Sequence, residues 1–375
     1  MTPRDRLVAV LEGRPADRVP AWLLFPYHPL GCYADVRTNP HYADVFRASL
    51  EKAVHLDRRG LSASPFPPDV RRRRETVEED GWRIRRDVLE FEGRSWTAEH
   101  AVREDETRLR RWIENEDDLE AFCRLPVRDD EAALRRELDP QADRIRRETA
   151  EFPRDLGAMM LDMGEPIGVL YHASNLTEYP VWSLTHADLI DAFLVRLQAH
   201  FRRVYRYALE RCLADVYFLV GSELASPPMV SRATFRRWIV PHARELIGLV
   251  CAAGARAIQH YNGQIREVLP DFLEMAPDAL HTIEAPPVGN CTLSQAWDAV
   301  GDRIALIGNI QYDEFRSLTP DGMRRAVRRV LDEARGRRFI LSTTAGPYED
   351  VLSERQQANY LAFLNAAWEF GRIEH

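Results

Sequence analysis

DVYFLVGSELASPPMVSRATFRRWIVPHARELIGLVCAAGARAIQH, residues 215–260, holds one complete strand–helix–strand unit. Its two ends, DVYFLVG (215–221) and ARAIQH (255–260), are short and almost continuously apolar, as parallel strands buried on both faces must be. Between them Ser231 opens a helix that closes at Gly254, and Pro241 inside it predicts a kink or a split. The same alternation continues through ALHTIE (279–284), RIALIGN (303–309) and RFILSTT (338–344). Thr319 and Pro320 open a helix before the last of these, with an apolar stripe of Met323, Val327, Val330 and Leu331 and a stop at Gly336.

Towards the N-terminus, RVPAWLLF (18–25), DRRGLSAS (57–64) and LGAMMLD (156–162) also read as strands, the second weakly. A further helix begins near Thr185, with Asp188 three residues on as in a capping box. Eight strands alternating with helices predict an α/β fold, a (β/α)8 TIM barrel. The weak second strand leaves a doubly wound sheet as the alternative. Residues 66–150 break the alternation. They carry a β-hairpin or meander with turns at Gly81 and Gly93, then charged helical sequence, and are read as a small α+β insertion between the second and third strands of one domain spanning 1–375. The Arg71–Arg74 run in it reads as a solvated stretch rather than a basic patch.

The 375 residues are 45% hydrophobic and carry a net charge of −8, which gives no support for nucleic-acid or anionic-membrane binding. Lys52 is the only lysine and lies in helical sequence, which argues against Schiff-base chemistry. The five cysteines are scattered, with no Cys-x-x-Cys pair, and no stretch approaches the roughly 18 apolar residues of a membrane span. The expected location is the cytoplasm, with no membrane contact.

In a (β/α)8 barrel the active site gathers at the carboxyl ends of the strands. Tyr27 and His28 follow the first strand, Asp162 and Glu165 the third, Ser222 and Glu223 the fourth, and His260, Asn262 and Gln264 the fifth. Glu284 follows the sixth, Asn309 and Gln311 the seventh, and Ser342, Thr343 and Thr344 the eighth. His260, Glu223 and Glu284 are the expected catalytic set, able to move protons or to hold a divalent metal. Tyr27, His28, Asp162, Asn262, Asn309, Gln311 and Thr343 are the expected substrate contacts. Each also has a structural reading: a histidine ending a strand can be a hydrogen-bonded core residue, and Glu223 can cap the next helix.

The blocks TPRDRLVAVLEGRPADRVPAW (2–22), MGEPIGVLY (163–171), residues 221–281, GDRIALIGNIQ (301–311) and RFILSTT (338–344) resemble, in order and spacing, the superfamily of uroporphyrinogen decarboxylase and the corrinoid-dependent methyltransferases. That resemblance implies a (β/α)8 barrel acting on a small molecule. The decarboxylase pattern of paired arginines after the first strand is replaced by LFPYHPLGCYADVR (24–37), its aspartate falls in LSASPF (61–66) and its histidine in TTAGPY (343–348). The zinc methyltransferases' His-x-Cys pattern keeps its histidine as His260, but Asn262 and Ala345 stand where thiolates would be, so no zinc-thiolate site is expected. The implied activity is methyl transfer from a small methylated molecule, with a corrinoid protein as one expected partner. The alternatives are decarboxylation or lysis of a small or tetrapyrrole-type carboxylic acid, helped by a cation such as Arg37 or Arg256, and non-catalytic binding of a small molecule or corrinoid protein.

Overall fold

The computed structural model describes residues 1–373. Eight parallel strands form its central sheet: β1 (Ala21–Trp22), β2 (His55–Gly60), β7 (Gly157–Met163), β8 (Val216–Leu219), β9 (Arg256–His260), β10 (Ala279–His281), β11 (Ala305–Ile310) and β12 (Phe339–Thr343). The remaining labels belong to an antiparallel sheet of β3 (Arg71–Glu79), β4 (Trp82–Phe91), β5 (Arg94–Arg103) and β6 (Glu106–Arg110). In the parallel sheet the order runs β1-β12-β11-β10-β9-β8-β7-β2. The last seam, between β2 and β1, is spanned by one bond, from the Val54 N–H to the Ala21 carbonyl at 2.8 Å. The ring is a nearly closed TIM barrel, and all eight expected strands are in it. β1 is far shorter than RVPAWLLF suggested, because Leu24 takes a left-handed φ of 57° and turns the chain out of the barrel.

Strand alternation sorts the side chains into two sets. Leu56, Met160, Phe218, Ile258, Ala305, Ile307 and Ile340 face inwards and pack together, and Leu7, Val10 and Leu11 of the helix Pro3–Leu11 join the same cluster. Their neighbours along each strand face outwards into the larger core beneath the helices. The inward phase continues up the strands to Arg58, Asp162, His260, His281, Asn309 and Ser342, so polar groups collect at the carboxyl end. Burying such groups costs free energy unless they find partners, so their pairing is part of the fold as well as of any chemistry.

Pro241 splits the helix as expected: Arg232–Trp238 and Val240–Ala252 meet at Ile239. Thr319 caps the helix Pro320–Glu333 through its side chain. Thr185 does not form the expected capping box. Its hydroxyl donates to the Val181 carbonyl inside the preceding helix, and the helix Ala187–Glu210 starts without a side-chain cap.

Between β2 and β7 the chain makes the four-stranded meander and then the helices Glu116–Cys123 and Glu131–Glu151. Two meander turns have paired positive φ values, Asp80-Gly81 (49°, 77°) and Glu92-Gly93 (48°, 82°), the geometry of two-residue hairpin loops that glycine adopts without strain. Among the described residues no helix is long and apolar enough to cross a membrane.

Candidate active site

His260 and His281 are paired in register on β9 and β10. Their rings stack at 4.9 Å and 27°, with the two Nδ1 atoms 2.9 Å apart. Only one proton fits between two such nitrogens, so one ring donates and the other accepts. Burial holds both imidazoles below their ordinary pKa, His281 well below, and the nearby Arg58 cation adds to this. The Thr343 backbone favours the protonated form of His281, although no fully formed hydrogen bond reaches its Nε2.

The other nitrogen of His260, Nε2, faces Glu223 Oε1 at 3.7 Å. Glu223 sits just past β8, where its second oxygen, Oε2, accepts from the Tyr171 hydroxyl at 3.1 Å and the Gly221 N–H at 3.0 Å. Those two donors fix the carboxylate and leave Oε1 towards the histidine. Both side chains retain solvent access, 17% for His260 and 16% for Glu223.

Asp162 faces Arg58 across the β2–β7 pair. Arg58 Nε lies 2.8 and 2.7 Å from the two Asp162 oxygens, and its Nη1 donates to the Tyr33 hydroxyl at 2.8 Å. The guanidinium lies 5.2 Å from the Phe218 ring, and that ring lies 5.3 Å from His260, which places the two pairs on one rim. Burial raises the Asp162 carboxyl against the opposing pull of Arg58. Arg58 and Asp162 keep 20% and 21% exposure, so this ion pair also opens to the mouth.

Beneath Glu223, Glu165 is 2% exposed. Its Oε2 accepts from Ser222 at 2.5 Å and Gln259 at 2.8 Å, and the Tyr261 hydroxyl donates on to Ser222 at 2.7 Å. Burial pushes this carboxyl up to about 7.

Of the expected residues, the barrel brings together His260, Glu223 and Asp162, with Asn309 on the same inward phase. It does not bring in the rest. Tyr27 and His28 lie against the outer wall. Both backbone N–H groups and His28 Nδ1 bond to the buried Asp57, and Tyr27 packs on Phe46 and Phe152. The positive φ at Leu24 is what sends them there. Glu284 is taken up by the Gly263 N–H at 2.6 Å, where it supports the loop after β9, and Asn262 is exposed on that loop. Gln311 accepts from Thr344, and Thr343 faces outwards and donates to the Ala345 carbonyl. Arg37 is exposed over the Tyr27 ring, and Arg256 is at the opposite end of the barrel, bound to Glu12 and near Asp278.

Arg58 and His281 are the site residues that sequence reading missed. Arg58 shares the alternating phase of Leu56, and His281 ends a run aligned with the one that ends in His260; those were the available signals. As a metal site the expected trio does not fit. Among the described residues no three His, Cys, Asp or Glu side chains are arranged to hold an ion, and His260 and Glu284 each spend a donor atom or oxygen elsewhere.

The family model described as uroporphyrinogen decarboxylase (URO-D) matches residues 109–369. No curated protein is significantly similar to the sequence. Among solved structures, a methyltransferase from Methanosarcina mazei aligns over 99% of this chain and 99% of its own, with a TM-score of 0.65 and 16% identity. A B12-independent methionine synthase from a Shewanella species, bound to selenomethionine, aligns over 79% of this chain and 74% of its own, with a TM-score of 0.41 and 12% identity, too loose to carry an argument. The first likeness is one of fold.

Proposed function

The chain belongs to the uroporphyrinogen decarboxylase (URO-D) family, and from that premise we propose that it is an enzyme that takes a methyl group from a small methylated molecule, with His260 as its proton-handling group. One observation carries this reading: His260 is tied at Nδ1 to His281 and open at Nε2 towards Glu223. Methyl transfer rather than another reaction of the family is supported by the end-to-end likeness of fold to the methyltransferase from Methanosarcina mazei.

We take the tautomer in which His281 is protonated at Nε2: its Nδ1 then accepts, and His260 Nδ1 donates to it. The proton that comes and goes is then the one on His260 Nε2. Glu223 at 3.7 Å offsets the imidazolium charge when that proton is present. In methyl transfer the carbon–heteroatom bond breaks, its electron pair stays on the heteroatom, and a bond forms from the methyl carbon to the acceptor. His260 Nε2 takes up a proton from the acceptor thiol or from solvent at the mouth and passes it to the leaving heteroatom, whose new bond to hydrogen replaces the broken bond to the methyl carbon. The acceptor comes from outside the chain, a thiol or a corrinoid carried by a partner protein.

A second reading, decarboxylation of a small acid, is favoured by Arg58. It is a guanidinium in the mouth whose Nη2 has no hydrogen bond among the described residues, suited to a substrate carboxylate. The test is turnover of methylated amines, ethers and thioethers with thiol or reduced corrinoid acceptors, beside a panel of small carboxylic acids. Wild-type protein should demethylate, and His260→Ala should lose about 100-fold or more with its circular dichroism unchanged. Release of carbon dioxide instead selects the second reading. Wild-type rates in His260→Ala refute the role given to this histidine, and tight ligand binding with no turnover of any kind makes the barrel a binder.

A further inference from the structure

The four-stranded sheet ends on one side in β3, RRRRETVEE (71–79), which pairs only with β4. Its side chains are exposed or half-buried throughout, so no other element covers this edge. The two-residue loop Asp80-Gly81 makes Glu79 and Trp82 a hydrogen-bonded pair. Counting back in twos, Val77, Glu75, Arg73 and Arg71 also bond to β4. Glu78, Thr76, Arg74 and Arg72 therefore point their N–H and carbonyl groups away from it. A strand of 9 residues thus presents a row of open backbone groups, the template on which another strand adds.

An edge charged with one sign repels its own copy. This edge is charged in two blocks instead: Arg71 to Arg74 lead, and Glu75, Glu78 and Glu79 follow. Laid antiparallel on a second copy about Thr76, the strand meets its own complement. Arg74 stands opposite Glu78 on one face of the sheet, Arg73 opposite Glu79 on the other, and Thr76 opposite Thr76, with each arginine pair formed twice by the symmetry. No like charges are opposed. The same register sets the open backbone groups of residues 74, 76 and 78 against those of 78, 76 and 74, for about six main-chain hydrogen bonds, two from each pair. A register centred on Glu75 would oppose that carboxylate to itself. The charges are available: Glu78 has no ion pair among the described residues, Arg73 holds only its near neighbour Glu75, Arg74 shares Asp87 with Arg72, and Glu79 shares Arg86 with Glu99. The opposite edge has no such match. β6 is 5 residues long, and its centred antiparallel register sets Arg108 against Arg108.

We propose that two copies of this chain pair antiparallel through β3, about a twofold axis at Thr76, and so join their four-stranded sheets into one. The occupant of the edge is a second copy because the edge complements itself; a wholly acidic or wholly basic peptide matches only half of it. The contact is one strand wide, which places it among small, weak interfaces, so the dimer forms at about micromolar concentrations and exchanges readily. It does not depend on the reaction proposed at His260.

The test is analytical ultracentrifugation of the full chain over about 1 to 200 µM, the range in which a weak dimer forms. The wild type should move from 43.3 kDa towards twice that mass as concentration rises. Arg73→Glu combined with Arg74→Glu, and separately Glu78→Arg combined with Glu79→Arg, should each weaken self-association about tenfold or more, because opposite charges across the axis become like ones. An equimolar mixture of the two variants should regain the dimer, since every facing pair is again of opposite sign. Thr76→Pro should stay monomeric: it removes the outward N–H at the axis and none of the bonds to β4. Circular dichroism and thermal melting check that each variant keeps its fold. A wild type that stays monomeric, a dimer that the variants leave unchanged, a mixture that fails to restore it, or growth beyond the dimer overturns the proposal, and none of these results touches the role of His260.

Discussion

Replacing Glu165 by Gln should change the pH dependence of stability more than stability itself. The carboxyl is 2% exposed and receives hydrogen bonds from Ser222 and Gln259 on one oxygen, an arrangement that a glutamine carbonyl also satisfies. Its pKa rises from 4.5 in the unfolded chain to about 7 in the fold, with burial as the largest cause. Because the folded value is the higher one, the fold binds the proton more tightly. The stabilising contribution is complete below pH 4.5 and is lost as pH rises through about 7. At 1.36 kcal/mol per unit the whole effect is about 3 kcal/mol, most of it falling between about pH 5 and about pH 8. Urea unfolding of the wild type and of Glu165→Gln at several pH values isolates the group, since every other titration is common to both. The variant should gain on the wild type by about 2 to 3 kcal/mol across that interval. Parallel curves would mean that Glu165 titrates alike in both states, and that the description of the network under Glu223 is mistaken.

Asp57→Ala should cost about 3–5 kcal/mol in urea unfolding, as loss of a buried charged partner does. It strands the Tyr27 and His28 amides, His28 Nδ1 and the neighbouring Arg59. A loss below about 1 kcal/mol would refute the claim that this aspartate anchors the first loop to the outer wall. Gly168→Ala should destabilise by about 1–3 kcal/mol, the cost of overpacking, because the new Cβ would lie 2.5 Å from the Gly221 carbonyl oxygen. It should also lower turnover, since Gly221 holds Glu223. Full activity with only a stability loss would show that the Gly221 contact does not position the carboxylate.

The barrel was legible in the sequence because seven of its strands read as short, mostly apolar runs alternating with helical segments, the pattern of parallel strands buried on both faces. The weak one, DRRGLSAS, is weak for a reason the structure supplies. Asp57 and Arg59 point to the outer wall and pair there, while Arg58 points into the mouth. Three adjacent charges disguised a strand and hid a site residue together. His281 was passed over because it sits inside an apolar run, where its register with His260 shows only after the strands are aligned. Tyr27 and His28 were misplaced because one left-handed residue, Leu24, decides which way the chain leaves the barrel, and a leucine gives no hint of that conformation.

The two-residue β1 leaves the cylinder of strands joined along one edge by a single bond between backbones, backed by the clasp of the Tyr27 and His28 amides on Asp57. Arg58 rides on the strand beside that edge, whereas the two histidines stand on the far side of the bore, in the middle of continuous ladders. The edge beside Arg58 is the less reinforced one, and the stacked histidines are held by strands paired on both sides.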